Sequence, residues 1–173
     1  MEQKKSISHI TAGLLIASFI VLFAIIINFL GLTNNSGLSI IQHLLIIGGL
    51  IFFINKYGKA NNNYLSFGNL FSYGFKATAV YTIIFVVFMV LLFLLFPDLK
   101  EETFDVARKQ MEKNPSVSDE QIEQGIDMMR RFFWVGVIGG SMFSMVLTGA
   151  IGSLIGAALT KKKPYNPLEQ PNA

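Results

Sequence analysis

"ITAGLLIASFIVLFAIIINFLGL", residues Ile10 to Leu32, carries no ionisable side chain, and Asn28 is its most polar member. A run of about 20 apolar residues, at about 1.5 Å of helix rise each, matches the roughly 30 Å hydrocarbon core of a bilayer. Lys4 and Lys5 precede it, so a secretory signal must be considered. The apolar part of a signal is only about 7–15 residues long and ends in small residues at a cleavage point. This run is longer, and Asn28, Phe29 and Leu30 make a poor cleavage site, so it reads as a retained membrane helix.

Three further runs follow the same logic. The polar turn "TNNSG", Thr33 to Gly37, leads into Leu38 to Ile54, near the short end of what can span. The third runs from about Phe75 to Phe96 and stops at Pro97, which cannot continue a helix without losing a hydrogen bond. The fourth, Phe132 to Leu159, is longer than the bilayer core requires and must tilt or project. Composition agrees: 52% of residues are hydrophobic and 14% charged, against about 25% charged in a soluble domain. The net charge of +3 is too small and too divided among segments to point to nucleic acid. The absence of cysteine excludes disulfides, thiolate metal sites and cysteine nucleophiles.

The expected fold class is therefore all-α: an integral membrane four-helix bundle with an extramembrane helical segment between spans three and four. The spans fall at about 10–32, 38–54, 75–96 and 132–159 in one domain of residues 1–163, followed by a flexible cytoplasmic tail at 164–173. Lysines and arginines in short flanking segments set orientation. With both termini inside, the inner side holds Lys4, Lys5, Lys56, Lys59, Lys76 and Lys161 to Lys163, and its only acids are Glu2 and Glu169. The outer loop, 97–131, would hold all nine other acids, together with Lys100, Arg108, Lys109, Lys113, Arg130 and Arg131. Arg130 and Arg131 argue the other way, but the first helix has two lysines before it and none in the turn after it. Both termini are expected in the cytoplasm.

In the outer loop, Phe104, Ala107 and Met111 share one helical stripe, with Asp105 and Lys109 placed to pair at i,i+4. Asn114-Pro115 breaks that helix. Ser118 then stands as an N-cap, Gln121 completes a capping box, and Val117 is placed to staple against Ile122. Ile122, Ile126 and Met129 carry the stripe onward to Phe132 and Phe133, so a single helix from Ser118 to Leu159 is expected. The loop is either a docking site for an extracytoplasmic partner or a pair of amphipathic helices covering themselves on the membrane or the bundle.

Along the last span, Gly136, Gly140, Ser144, Thr148, Gly152 and Gly156 recur at every fourth position, with Gly149 and Ser153 in a parallel row. Small residues at this spacing let helix backbones approach closely in lipid. These six positions are the candidate helix-packing site. The neighbour is another span of the same chain, a second copy in a homo-oligomer, or another membrane protein; lining a pore is the sharper alternative.

Chemistry-bearing residues are scarce. None of the four runs contains a carboxylate or an arginine, Lys76 sits where its stem can snorkel, and His43 beside Gln42 is a lone imidazole expected to make an interfacial hydrogen bond. No metal-binding, hydrolase or phosphate-loop motif is visible. No catalytic residue, cofactor or metal is expected, and an enzyme is not. "YLSFGNLFSYGF", Tyr64 to Phe75, reads as an amphipathic lead into span three: Ser66 can cap it, Phe67, Leu70, Phe71, Gly74 and Phe75 share a face, and Ser66, Asn69, Ser72 and Tyr73 flank it.

The order of an apolar hairpin, "SFGNLFSYGF", a long span closed by Pro97, a charged helical segment and a glycine-rich last span ending in "TKKK" resembles the bacterial membrane family known as domain of unknown function 4199. The resemblance extends over about Ser6 to Lys163, with Phe67-Gly68 and Gly74-Phe75 its closest approach to a signature. It implies a four-helix protein of the bacterial inner membrane and assigns no activity and no site residue. The expected role is a non-enzymatic scaffold or accessory subunit, with a small oligomeric transporter or channel as the alternative.

Overall fold

Apolar runs become helices because, without water, every backbone N–H and C=O must find its partner within the chain. A computed structural model of the protein, described here for residues 6–32 and 36–163, has six helices: α1 (His9–Phe29), α2 (Ser36–Ala60), α3 (Phe67–Leu95), α4 (Pro97–Glu112), α5 (Asp119–Arg131) and α6 (Phe133–Leu159). Helices α1, α2, α3 and α6 are long and apolar enough to cross a membrane. Lys4 and Lys5, most of the turn after Leu32, and the tail at 164–173 lie outside the described residues.

Helix boundaries depart from the apolar runs in a consistent way. Helix α1 starts under Ser8, whose hydroxyl accepts from the Thr11 N–H at 3.0 Å. It stops three residues short of Leu32 because Gly31, at φ +66°, turns the chain left-handed; Leu32 N–H then donates to Ile27 C=O and Gly31 N–H to Asn28 C=O, a Schellman closure. Helix α2 continues six residues past Ile54, and α3 begins eight residues before Phe75, under Ser66, whose Oγ accepts from Asn69 N–H at 3.2 Å. Polar residues lengthen both helices, since a helical hydrogen bond is indifferent to whether its side chain faces lipid or water. "YLSFGNLFSYGF" is thus mostly the first two turns of α3. Between the two helices, Asn62 and Asn63 take positive φ, a conformation asparagine tolerates better than most residues.

The chain divides into two compact units, one of residues up to Ile84 together with those from Met145, the other Phe85–Ser144. In the first, α1, α2, most of α3 and the second half of α6 bury Ala12, Ile16, Ile46, Leu50, Ile54, Ala77 and Tyr81. Gly13 lets α1 lie on α3: a Cβ there would sit 2.6 Å from Val80 Cβ and 2.8 Å from the Ala77 carbonyl oxygen. The ends carrying Ile7, Tyr57, Tyr73 and Lys163 come together. Tyr73 Oη donates to Ile7 C=O at 3.0 Å, the Tyr57 and Tyr73 rings stack at 4.1 Å, and Lys163 N–H donates to Asn63 C=O at 2.8 Å.

In the second unit, the stripes of α4 and α5 cover each other. Phe104, Ile122, Ile126 and Phe133 form a buried cluster, with Val117, Ala107, Met111 and Met129 packed against it. Pro97 opens α4 at its first turn, where a missing N–H costs nothing. The capping box of Ser118 and Gln121 is complete. Asp105 and Lys109 do not meet; the ion pairs among the described residues join Arg108 to Glu123 and Arg130 to Glu101, across the hairpin.

The expected uninterrupted helix from Ser118 to Leu159 is two helices. Phe132 adopts φ −103° and ψ 15°, ending α5, although its N–H still reaches Met128 C=O and its own carbonyl accepts from Gly136 N–H. The bend accompanies a specific packing: Phe133 sits edge-on to Phe93 at 5.0 Å and to Phe104 at 5.5 Å, inside the hairpin core.

Candidate functional site

The small-residue row of α6 changes character along its length. In the first unit, Thr148, Gly152 and Gly156 are buried. A Cβ on Gly152 would lie 2.8 Å from Leu50 Cδ1 and 3.3 Å from Ile47 Cα; one on Gly156 would lie 2.6 Å from Ile54 Cδ1 and 3.2 Å from Ile51 Cα. Steps of four on both helices interlock, as in close ridge-into-groove packing. The parallel row meets α3. A Cβ at Gly149 would lie 2.5 Å from Tyr81 Oη, and Gly74 of α3 faces Ser153 Oγ at 2.7 Å from its own hypothetical Cβ. Tyr81 Oη donates to Met145 C=O at 3.1 Å, tying α3 to α6 by a hydrogen bond that crosses the interface. One row therefore serves α2 and the other α3.

In the second unit the row is open. Among the described residues, no atom outside the neighbouring turns of α6 lies within 4 Å of the position a Cβ would take on Gly136, Gly139 or Gly140, and Ser144 is half-buried. The six residues do not act as one surface: the structure engages Thr148, Gly152 and Gly156 within the chain and leaves Gly136 and Gly140 exposed.

His43 lies on α2, where its Nδ1 is 2.7 Å from Ser39 C=O, one turn back along the same helix. A group the sequence reading did not assemble lies at the lysine-bearing end of the first unit. Asn69, Ser72, Tyr73 and Lys76 follow the i, i+3, i+4, i+7 spacing of one helical face on α3, and with His9 and Tyr57 they line an open cleft of about 310 Å³. The spacing was visible in the sequence; that α1 and α2 bring an imidazole and a phenol to the same face was not. A second, apolar hollow of about 360 Å³ lies between α1 and α2, lined by residues including Leu15, Phe19, Ile46, Gly49 and Phe53.

The second unit's electrostatics are those of a braced hairpin. Arg108 holds Glu123 through both carboxylate oxygens, and Arg130 holds Glu101 the same way at 3.2 and 2.7 Å while its guanidinium lies 4.6 Å from the Phe104 ring centre. The Arg108 hydrogen bonds, aided by its charge, hold the Glu123 carboxyl below the usual carboxylate range.

Four helices apolar enough to cross a membrane, closed by small-residue packing and joined to a capped helical hairpin, define an all-helical protein of membrane type. The family described as "Protein of unknown function (DUF4199)" matches residues 10–162, and the chain belongs to that family. No curated protein and no solved structure matches the chain.

Proposed function

We propose that the chain is a multi-pass protein of the bacterial inner membrane, with both termini cytoplasmic and the α4–α5 hairpin outside. It serves as a non-enzymatic scaffold or accessory subunit. The observation that carries this reading is the open stretch of α6 at Gly136, Gly139 and Gly140, beside a hairpin whose own apolar stripes are already covered. A glycine surface of this kind accepts another helix at short range in lipid, where packing rather than hydrophobicity drives association. The hairpin, held by two bidentate ion pairs and a capping box, supplies a stiff surface beyond the bilayer for the same partner. Lysine distribution supports the orientation, since Lys4 and Lys5 precede the first span and no lysine or arginine lies in the turn that follows it.

A photo-crosslinking residue at position 140, compared with one at 152, tests the role in native membranes. Position 140 should capture a protein, either a second copy or another membrane protein, while position 152 should react within the chain. Lipid adducts alone at 140 would overturn the scaffold reading. Solute or ion flux through liposomes holding the purified protein would replace it with the oligomeric transporter.

A further inference from the structure

We propose that the cleft lined by His9, Tyr57, Asn69, Ser72, Tyr73 and Lys76 binds the phosphate of an anionic phospholipid, with an acyl chain lying in the apolar hollow between α1 and α2. The site needs the four apolar helices to be in a bilayer, but it does not depend on the scaffold role.

The lining is selective by charge. Lys76 brings an ammonium, His9 a ring N–H, and Asn69, Ser72 and Tyr57 an amide and two hydroxyls, all groups that can donate to an oxyanion. No carboxylate lies in the cleft, and the described residues of this unit contain none at all, because the acids between Asp98 and Asp127 all belong to the other unit. Lys76 therefore has no ion pair among the described residues. It is exposed in the N-terminal part of α3, on the same face as Asn69, Ser72 and Tyr73, where its ammonium is free to meet an anion at the cleft. Lys56 and Lys59, in the last turns of α2, add to the positive field that an anion would meet. Tyr73 does not need the ligand for its hydroxyl, which already donates to Ile7 C=O; its ring, stacked on Tyr57, gives the cleft a fixed wall.

Lipid, rather than a small dissolved anion, is indicated by what lies along the same seam. On α2, Tyr57, Phe53, Gly49, Ile46 and Gln42 recur at steps of three and four, so the cleft's tyrosine and the hollow's lining share one face. On α1, His9 is followed at i+7 and i+11 by Ile16 and Ile20, again one face. Gly49 and Ile16 line the hollow where the two helices approach closely: a Cβ on Gly49 would lie 3.3 Å from Ile16 Cγ1. A polar, cationic mouth above an apolar trough is the complement of a headgroup above its chain.

The full chain purified in a non-ionic detergent, with native mass spectrometry to count retained lipid, tests the site. Phosphatidylglycerol should be retained in preference to phosphatidylcholine of identical chains. Lys76→Gln should cut that preference about fivefold, the scale of one interfacial lysine. Lys76→Arg should keep it, as should Lys162→Gln, which removes a charge from the same end outside the cleft. Leu45→Trp, at an exposed position lining the hollow, should lower retention of both lipids with an unchanged melting curve. Equal retention of the two lipids by the parent chain, or equal loss in Lys76→Gln and Lys162→Gln, would overturn the proposal. So would stabilisation by inorganic phosphate matching that by phosphatidylglycerol, which would mean a free-anion site.

Discussion

At single residues, the packing of α6 turns on which glycines are crowded. Gly152 and Gly156 face α2 at distances no added carbon can occupy without moving Leu50 or Ile54, whereas Gly140 faces no other element among the described residues. Gly152→Leu or Gly156→Leu should therefore lower the stability of the detergent-solubilised protein by at least the roughly 1–3 kcal/mol typical of overpacking. Gly140→Leu should leave its melting temperature unchanged and act instead on association. Val146→Leu, on an exposed part of the same helix, serves as the control. A second prediction concerns Glu123. Its folded carboxyl titrates below its unfolded value, so its contribution is present above the unfolded value near 4.3 and is lost as pH falls through the lower, folded one. Hydrogen exchange of α5 should accelerate over that acid window, and the change should be absent in Glu123→Gln. Both partners are substantially exposed, so high salt should weaken the effect.

Among the elements, the α4–α5 hairpin and its junction with α6 make the sharpest claims. Ser118→Ala removes the acceptor for Gln121 N–H and should cost about 1 kcal/mol, confined to the first turn of α5. Phe104→Ala empties the centre of the hairpin core and should cost about 3–5 kcal/mol there, releasing α4 to proteolysis. Gly125 of α5 lies against the tip of the Met111 side chain, whose Cε a Cβ would meet at 3.1 Å. The existence of all four long apolar helices was legible, because hydropathy alone marks them. Their ends were not, since Asn55 to Ala60 and Phe67 to Gly74 extend helices without extending the apolar runs. The bend at Phe132 was hidden for a different reason. Neither proline nor glycine marks it; it goes with Phe133 packed between Phe93 and Phe104, a contact between residues distant in the chain. Similarly, the four-residue period disclosed the small row on α6, but only the placement of α2 and α3 decides which part of it is used.

Taken as a whole molecule, the chain is a member of its family by sequence and a membrane-type helical protein by structure, and the claim that matters most is its orientation. The ends bearing Ile7 and Lys163 lie at the same side of the first unit, as the proposed insertion with both termini in one compartment requires. The lysines at that end argue for the cytoplasm. The absence of native cysteine makes the test clean, because an introduced thiol is the only one present. Single variants Ser116→Cys, in the turn between α4 and α5, and Lys162→Cys, after α6, would be treated with a membrane-impermeant maleimide in intact spheroplasts. Ser116→Cys should be labelled from outside and Lys162→Cys only after permeabilisation. The reverse pattern, or labelling of both from one side, would contradict this orientation.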